Sequence, residues 1–143
     1  ERDDPPGPIR SDSKGVITIP ATSCGFSSDL VMSIASSDGG KQLNFLSDGY
    51  AEYELPDELP SSVTYRLKIE LCTVHLKQSP LGISVDEGTD TSPQLLKIPY
   101  TIGEWKTVEL GEIVANGGSI IKLSRPKPSY GLAMKKLILE PIH

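Results

Sequence analysis

Histidine is the first residue type to consider for catalysis, and the chain has only two, His75 and His143. A Ser-His-Asp arrangement would have to use His75, because His143 is the last residue. His75 lies between Val74 and Leu76 at the end of an alternating segment, and no Gly-x-Ser-x-Gly motif accompanies it. We interpret His75 as a surface or loop residue and predict no catalytic residue and no enzyme activity.

Acidic and metal-binding patterns are equally weak. Four carboxylates that could pair as in a glycoside hydrolase lie at predicted turns or strand edges, where solubility alone explains them: Asp48, Glu52, Asp86 and Glu104. No Cys-x-x-Cys or His-x-x-x-His spacing occurs. Residues 86–90 offer oxygen ligands without EF-hand order, which favours a solvated loop and leaves calcium as the alternative. We predict no cofactor and no metal site.

Aromatic residues beside predicted turns are the remaining chemical feature. A sugar ring presents a flat face of C–H groups to an aromatic ring, while amides and carboxylates bind its hydroxyls. Phe45 follows Asn44, and Trp105 follows Glu104, so each ring has a polar neighbour of that kind. The only Trp of a small sandwich is also often a core residue, and the residues themselves leave both interpretations open.

Composition limits the classes of protein to consider. The chain of 143 residues is long enough for one domain, and its 13 glycines and 12 prolines favour short strands with frequent turns. A net charge of -5, with Lys135-Lys136 as the only basic doublet, argues against nucleic-acid binding. No apolar run approaches the roughly 20 residues of a membrane span, so no membrane role is predicted.

Two features bear on processing and compartment. The chain begins with Glu1, so we expect that an upstream segment has been removed. Cys24 and Cys72 lack any framework spacing, and the sequence leaves open whether they form a disulfide. Residues 1–14 are charged and proline-rich with little apolar content, which predicts a disordered tail or linker before a domain spanning 15–143.

The elements that must position these residues are strands. Apolar residues recur at every second position through most of the chain, most clearly at Tyr65, Leu67, Ile69 and Leu71. Residues 30–34 fit either a strand or one helical turn. Within 132–139 the apolar phase shifts at Lys135-Lys136, which predicts a β-bulge. About nine short strands separated by turns predict a single all-β antiparallel sandwich of the jelly-roll type.

The order of these segments resembles carbohydrate-binding modules of families 6 and 35. The resemblance is carried by an aromatic loop, glycine turn and Tyr-ending strand, a Trp-x-Thr-Val step, a glycine-rich strand entry and a closing strand: residues 40–56 with 63–67, 81–86, 105–108, 117–123 and 132–141. It covers most of residues 15–141. It implies a galactose-binding-like β-sandwich that binds glycans as an accessory of a secreted or periplasmic glycan-active enzyme.

The resemblance also implies site residues. Phe45 matches the loop aromatic and Trp105 the facing aromatic, with Asn44 and Tyr130 as hydrogen-bonding partners. The family's final loop usually carries an Asn, whereas this chain has Ser129-Tyr130-Gly131 there, so Tyr130 is a replacement at best. The acidic residues that hold the family's structural calcium on the first and last strands are not evident. The expected partners are a glycan and a catalytic domain of the same parent protein.

A second class of function is an accessory sandwich that docks on a protein and binds no sugar. In that case Phe45 and Trp105 would be buried or would lie in one flat apolar patch. A third class, a small hydrolase or lyase on a jelly roll, would need carboxylates that meet in one groove.

Overall fold

The structure, a computed structural model, describes residues 9–23, 26–27, 31–35, 41–45, 49–85, 94–125 and 132–142. Within these ranges the chain forms twelve strands and no helix. The strands are β1 (Arg10–Ser11), β2 (Ile17–Pro20), β3 (Phe26–Ser27), β4 (Val31–Ala35), β5 (Lys41–Phe45), β6 (Tyr50–Glu54), β7 (Val63–Cys72), β8 (Leu81–Val85), β9 (Gln94–Leu96), β10 (Lys106–Ala115), β11 (Ile120–Ser124) and β12 (Leu132–Pro141). Because the described residues form no helix, none of them belongs to a helix long and apolar enough to cross a membrane.

The strands form two antiparallel sheets. Sheet A has seven strands: β10 pairs with β7, β7 pairs with β12, and the other edge of β12 pairs with β2 and β5 in succession. Strand β1 extends sheet A beyond β2, and β4 extends it beyond β5. Sheet B has the order β3-β6-β11-β8-β9. The predicted all-β antiparallel sandwich is confirmed.

The core lies between the two sheets and follows from the alternation of apolar residues along the strands. On β7, Tyr65, Leu67, Ile69 and Leu71 are buried while the residues between them are partly exposed, as the sequence pattern predicts. In the same core, the hydroxyl of Tyr53 donates to the backbone oxygen of Ala21 at 2.6 Å. This bond satisfies a polar group that would otherwise be costly to bury.

The predicted bulge in β12 is also present. The pairing of β12 with β7 shifts register between Met134 and Lys136, so Lys135 is the extra residue. A bulge lets β12 keep Met134 and Leu137 on the core side despite their odd spacing, since both are fully buried.

Of the two interpretations open for residues 30–34, a strand or a helical turn, the structure has the strand, β4. Strand β10 differs from its predicted bounds, because it extends to Ala115 although only 107–110 were predicted. The extension carries its own register shift between Glu109 and Gly111, which interrupts the simple alternation in the sequence. Strand β1 lies before residue 15, the predicted start of the domain, and pairs with Ile17 and Thr18 of β2. Residues 1–8 lie outside the described part of the chain.

Candidate functional site

Phe45 does not have the position that its predicted role requires. It lies opposite Leu132 on β12, shares the inward side of β5 with Leu43, and is completely buried. This corrects the prediction that Phe45 stacks on a sugar, because a ring packed in the core offers no face to a ligand. Asn44, one residue earlier, has the opposite orientation by strand alternation and is partly exposed on the outer face of sheet A.

Asn44 and Trp105 lie at the two ends of one row of residues across sheet A. Asn44 pairs with Ala133, and Ala133 pairs with Cys72. Lys106 pairs with Leu71, so Trp105, which directly precedes it, continues the row beyond Cys72. We call these four residues, Asn44, Ala133, Cys72 and Trp105, the outer strip. Three strand spacings separate its ends by about 14 Å.

A contact between Trp105 and Lys135 shows which face of sheet A the indole covers. The Nζ atom of Lys135 lies 4.9 Å from the centroid of the indole ring. Strand β7 runs between these two residues, and its inward face is filled by the buried Leu71 next to the buried Met134. The contact therefore crosses the outer face. A cation at this distance attracts the ring electrostatically and holds its orientation.

The bulge in β12 provides this lysine. In a regular strand, consecutive residues point to opposite faces, so one of Lys135 and Lys136 would point into the core. The extra residue of the bulge lets both side chains be partly exposed. The phase shift visible in the sequence thus places an ammonium group beside the indole.

The other end of the outer strip carries two amides. Gln42, two residues before Asn44 on β5, donates from Nε2 to Asn44 Oδ1 at 2.7 Å. This bond leaves Asn44 Nδ2 as a donor and Gln42 Oε1 as an acceptor, and neither atom has a partner within the described ranges. An adjacent donor and acceptor suit a hydroxyl group, which can both accept and donate.

The middle of the strip is low and open because its side chains are small. Ala133 and Cys72 are both partly exposed, and Cys72 is a free cysteine. Cys24, the other cysteine, lies outside the described residues. Beyond the strip the outer face becomes charged, with Lys68 Nζ 3.1 Å from Glu140 Oε1 and Arg66 Nε 3.5 Å from Glu109 Oε2.

Two threonines lock the loops next to Trp105. Thr73 N donates to Thr101 Oγ1 at 2.9 Å, and Thr101 N donates to Thr73 Oγ1 at 2.8 Å. Gly103 N also donates to the backbone oxygen of Thr73 at 2.9 Å. These bonds join the end of β7 to the segment before β10. Thr101 and Gly103 are both bonded to Thr73, so the backbone that leads to Trp105 is held against β7.

A strained turn lies in the same segment. Ile102 and Gly103 have φ values of 60° and 75°, and Glu104 N donates to Thr101 O at 3.0 Å across them. The left-handed conformation is unfavourable for a β-branched residue such as Ile102. The side chain of Ile102 is 68% exposed, and nearby Val74 and Tyr100 are exposed as well. Tyr100, in the turn segment Pro-Tyr-Thr-Ile-Gly, is an exposed aromatic residue that was not among the predicted site residues.

A buried arginine holds the neighbouring connection between β7 and β8. Arg125, at the end of β11, is 1% exposed, and its guanidinium donates to Ser79 O and, at 2.6 Å, to Gln78 Oε1. Burial lowers the pKa of Arg125 to about 10, which leaves it charged at neutral pH. His75 lies in this connection as an exposed residue, and its backbone oxygen accepts from Gln78 Nε2 at 3.1 Å.

Comparisons with known proteins bear on the fold. No family model matches the sequence, and no curated protein matches it. Among solved structures, the C-terminal family 6 carbohydrate-binding module of LamC, a marine laminarinase from Zobellia galactanivorans, is 17% identical with a TM-score of 0.66. The match covers 87% of this chain and 98% of that chain. This chain has the fold of a family 6 carbohydrate-binding module.

Two further structures agree. The family 6 module of Cellvibrio mixtus lichenase 5A, solved in complex with cellotriose, is 15% identical, with a TM-score of 0.63 and coverage of 88% of this chain and 97% of that one. The Podospora anserina GH26-CBM35 β-(1,4)-mannanase is 13% identical, with a TM-score of 0.68. There the match covers 91% of this chain but 28% of the enzyme. The predicted resemblance to families 6 and 35 is confirmed for the fold.

Two interpretations from the sequence stay predictions: the hydrogen-bonding role of Tyr130 and the solvated loop at residues 86–90. Tyr130 lies outside the described residues, as does the stretch 86–90 considered for calcium. Within the described ranges no group of three or more His, Cys, Asp or Glu side chains is arranged to hold a metal ion. The part of the site that the structure does describe is the outer strip with Gln42 and Lys135.

Proposed function

We propose that this chain is a non-catalytic carbohydrate-binding module whose ligand lies along the outer strip. The observation that carries the proposal is the shared row: Trp105 at one end and Asn44 at the other, over a low middle formed by Ala133 and Cys72. An aromatic ring, a cation and paired amides around a low surface match what a sugar requires.

In this proposal each end of the outer strip contacts a different part of the glycan. The indole of Trp105 packs against the C–H face of a sugar ring while Lys135 covers the indole's other face or moves aside. Asn44 Nδ2 donates to a ligand hydroxyl, and Gln42 Oε1 accepts from the same or an adjacent one. A ring bound at Trp105 alone cannot reach Asn44 across about 14 Å, so a chain of several sugar residues gains contacts that a monosaccharide lacks.

The wider context is part of the proposal. We infer that the module belongs to a larger secreted or periplasmic glycan-active protein and brings that protein's catalytic domain to its substrate. The fold supports this, since the Podospora anserina mannanase joins such a domain to its enzyme and the Cellvibrio mixtus module carries cellotriose. Tyr130 is proposed as an additional hydrogen-bonding residue, and calcium is not required.

The test is retention on glycans by variants of two matched aromatic residues. Tyr50 lies beneath Lys122 on sheet B, with the Nζ atom 4.7 Å from the ring centroid, so it repeats the local chemistry of Trp105 away from the outer strip. We expect a glycan array to identify a ligand for the unchanged chain, Trp105→Ala to weaken its binding by tenfold or more, and Tyr50→Ala to leave it unchanged.

Intrinsic fluorescence gives an independent reading, because Trp105 is the only Trp in the chain. A ligand on the outer strip shifts its emission in the unchanged chain and in the Tyr50→Ala variant. If a folded Trp105→Ala variant binds the array-selected glycan as tightly as the unchanged chain does, the ligand lies elsewhere and the proposal is removed.

A second candidate function is docking on a protein, and exposed apolar side chains in the loops near Trp105 favour it. Val74, Leu76 and Ile102 are 62%, 80% and 68% exposed and belong to loops near Trp105. If these loops dock the module on its catalytic domain, Leu76→Ser with Ile102→Ser weakens that association in the whole parent protein and leaves glycan retention intact. Loss of retention with intact association would instead assign the loops to the sugar site.

A further inference from the structure

A cavity lies at the end of the sandwich opposite Trp105. It has a volume of about 570 Å³ and opens between the start of β7, the end of β12, the β1–β2 turn and the β6–β7 connection. Its walls include Lys14, Glu58, Pro60, Tyr65 and Pro141. Strand β7 has ten residues, so the cavity and Trp105 are separated by about 30 Å along the strand. The outer strip therefore does not include this cavity.

The wall formed by the β6–β7 connection is held rigidly. Ser62 has a φ of 55°, and its backbone N donates to Asn116 Oδ1 at 2.5 Å. Gly117 packs so closely that a Cβ atom there would lie 2.4 Å from the backbone oxygen of Asp57. The glycine is needed for this contact, which fixes the connection against the β10–β11 turn.

The wall formed by the β1–β2 turn is fixed in a similar way. The carboxylate of Asp12 accepts from the backbone N of Lys14 at 2.8 Å and of Val16 at 3.0 Å. On the third side, Ile142 N donates to Thr64 O at 2.8 Å. The cavity is thus preformed, which lowers the entropic cost of binding a ligand.

Tyr65 directs an unused polar group into the cavity. The residue is 2% exposed, and its hydroxyl makes no hydrogen bond within the described part of the chain. No fully buried side-chain polar atom among the described residues lacks a partner, so this hydroxyl lies in the small exposed fraction at the cavity surface. Burial raises the pKa of Tyr65, which keeps the hydroxyl protonated and able to donate.

Two charged side chains, Lys14 and Glu58, line the walls. Neither Lys14 nor Glu58 forms an ion pair with any residue that the structure describes. Together they give the cavity one cation and one anion, so it suits neither a phosphate, which needs several cations, nor a metal ion, which needs several carboxylates. Ser11 and Thr64 add hydroxyls, and the proline rings add apolar surface.

We propose that this cavity is a second site that binds a single sugar residue at the end of a glycan chain. Glu58 accepts from ligand hydroxyls, Lys14 and Tyr65 donate to ligand oxygens, and Pro60 with Pro141 contacts the C–H face. A sugar matches this mixture because each of its hydroxyls both donates and accepts while its ring carbons are apolar. The inference rests on the proposed glycan-binding function but uses none of the residues of the outer strip.

The experiment compares four chains and one charge control. The four chains are the unchanged chain, Trp105→Ala, the double variant Tyr65→Phe with Glu58→Gln, and the combination of all three substitutions. Free glucose, galactose, xylose and mannose are titrated while binding is followed by saturation-transfer NMR, and retention on array glycans is measured in parallel. Tyr65→Phe keeps the core ring, and thermal melting verifies that each variant is folded. Glu54→Gln, an exposed acid on sheet B, serves as the charge control.

We expect one of the monosaccharides to bind the Trp105→Ala variant as it binds the unchanged chain, and the double variant to weaken that binding at least fivefold while Glu54→Gln leaves it unchanged. If the double variant binds monosaccharides normally, or if none of them binds the unchanged chain, the second site is refuted. If retention on array glycans depends on Trp105 and no monosaccharide binding depends on Tyr65 and Glu58, the outer strip stands and the cavity is overturned. If retention on array glycans depends on Tyr65 and Glu58 and not on Trp105, the cavity stands and the outer strip is overturned.

Discussion

The thiol of Cys72 lies in the outer strip, so its reaction rate with an alkylating reagent can test whether a ligand binds there. The thiol is partly exposed between Ala133 and the position of Trp105, so a ligand that spans from the indole to Asn44 must cross it. The perturbation is alkylation by iodoacetamide in a Cys24→Ser background, which leaves one thiol in the chain. The adduct would project over Ala133, in the space proposed for the glycan.

The expected size of the effect follows from occupancy. If a bound glycan shields Cys72 completely, the alkylation rate falls by a factor of 1 + [L]/Kd, which is roughly tenfold at nine times Kd and roughly 100-fold at 100 times Kd. In the reverse direction, a thiol already alkylated should bind the glycan at least about tenfold more weakly, a loss of about 1.4 kcal/mol.

The assay measures the alkylation rate by mass spectrometry over a range of concentrations of the array-selected glycan. The control thiol is Ser124→Cys in a chain with both native cysteines changed to Ser, because Ser124 is partly exposed on sheet B. Its rate should not change with the glycan. A glycan whose binding requires Trp105 but which leaves the Cys72 rate unchanged would refute the row from Trp105 to Asn44 as the ligand path.

Two further predictions concern the loops around Trp105. Replacing Ile102 by Asn should raise the free energy of unfolding by about 1 kcal/mol, because Asn tolerates the left-handed conformation and the exposed Ile side chain loses little packing. Urea unfolding measures this free energy. An equal gain from Ile120→Asn, in a regular strand, would speak against backbone strain as the cause. Replacing Arg125 by Met should lower the free energy of unfolding by about 2–4 kcal/mol, because the backbone oxygen of Ser79 and the side-chain oxygen of Gln78 lose a charged donor. A loss below about 0.5 kcal/mol would show that Arg125 does not hold the β7–β8 connection.

The local parts of the fold were predictable because the physical signal lies within a few residues. Alternation at Tyr65, Leu67, Ile69 and Leu71 determines the buried side of β7, and the phase shift at Lys135-Lys136 shows the bulge. The orientation of Phe45 was also available locally, since Leu43 and Phe45 share one side of the strand and must both face the core. The position of Phe45 beside a predicted turn favours the surface, but the alternation of the strand decides for the core.

The arrangement of the site could not be predicted in the same way. That Asn44, Ala133, Cys72 and Trp105 share one row depends on the order β5-β12-β7-β10, which joins segments far apart in the chain. The cavity at the other end of β7 likewise combines residues of four separate segments. Strand order in a sandwich is decided by non-local pairing, so the sequence pattern predicts the strands and their faces more reliably than their neighbours.

The two proposed sites at opposite ends of β7 have different consequences for binding. The outer strip lies on the face of sheet A and admits the middle of a glycan chain, whereas the cavity is walled on several sides and admits a chain end. With about 30 Å between them, a short oligosaccharide occupies only one site. A polysaccharide or a dense glycan surface can occupy both, and the second binding event then occurs at a high effective concentration. A module with two such sites therefore gains most of its affinity on insoluble or branched glycans, where chain ends and chain interiors lie close together.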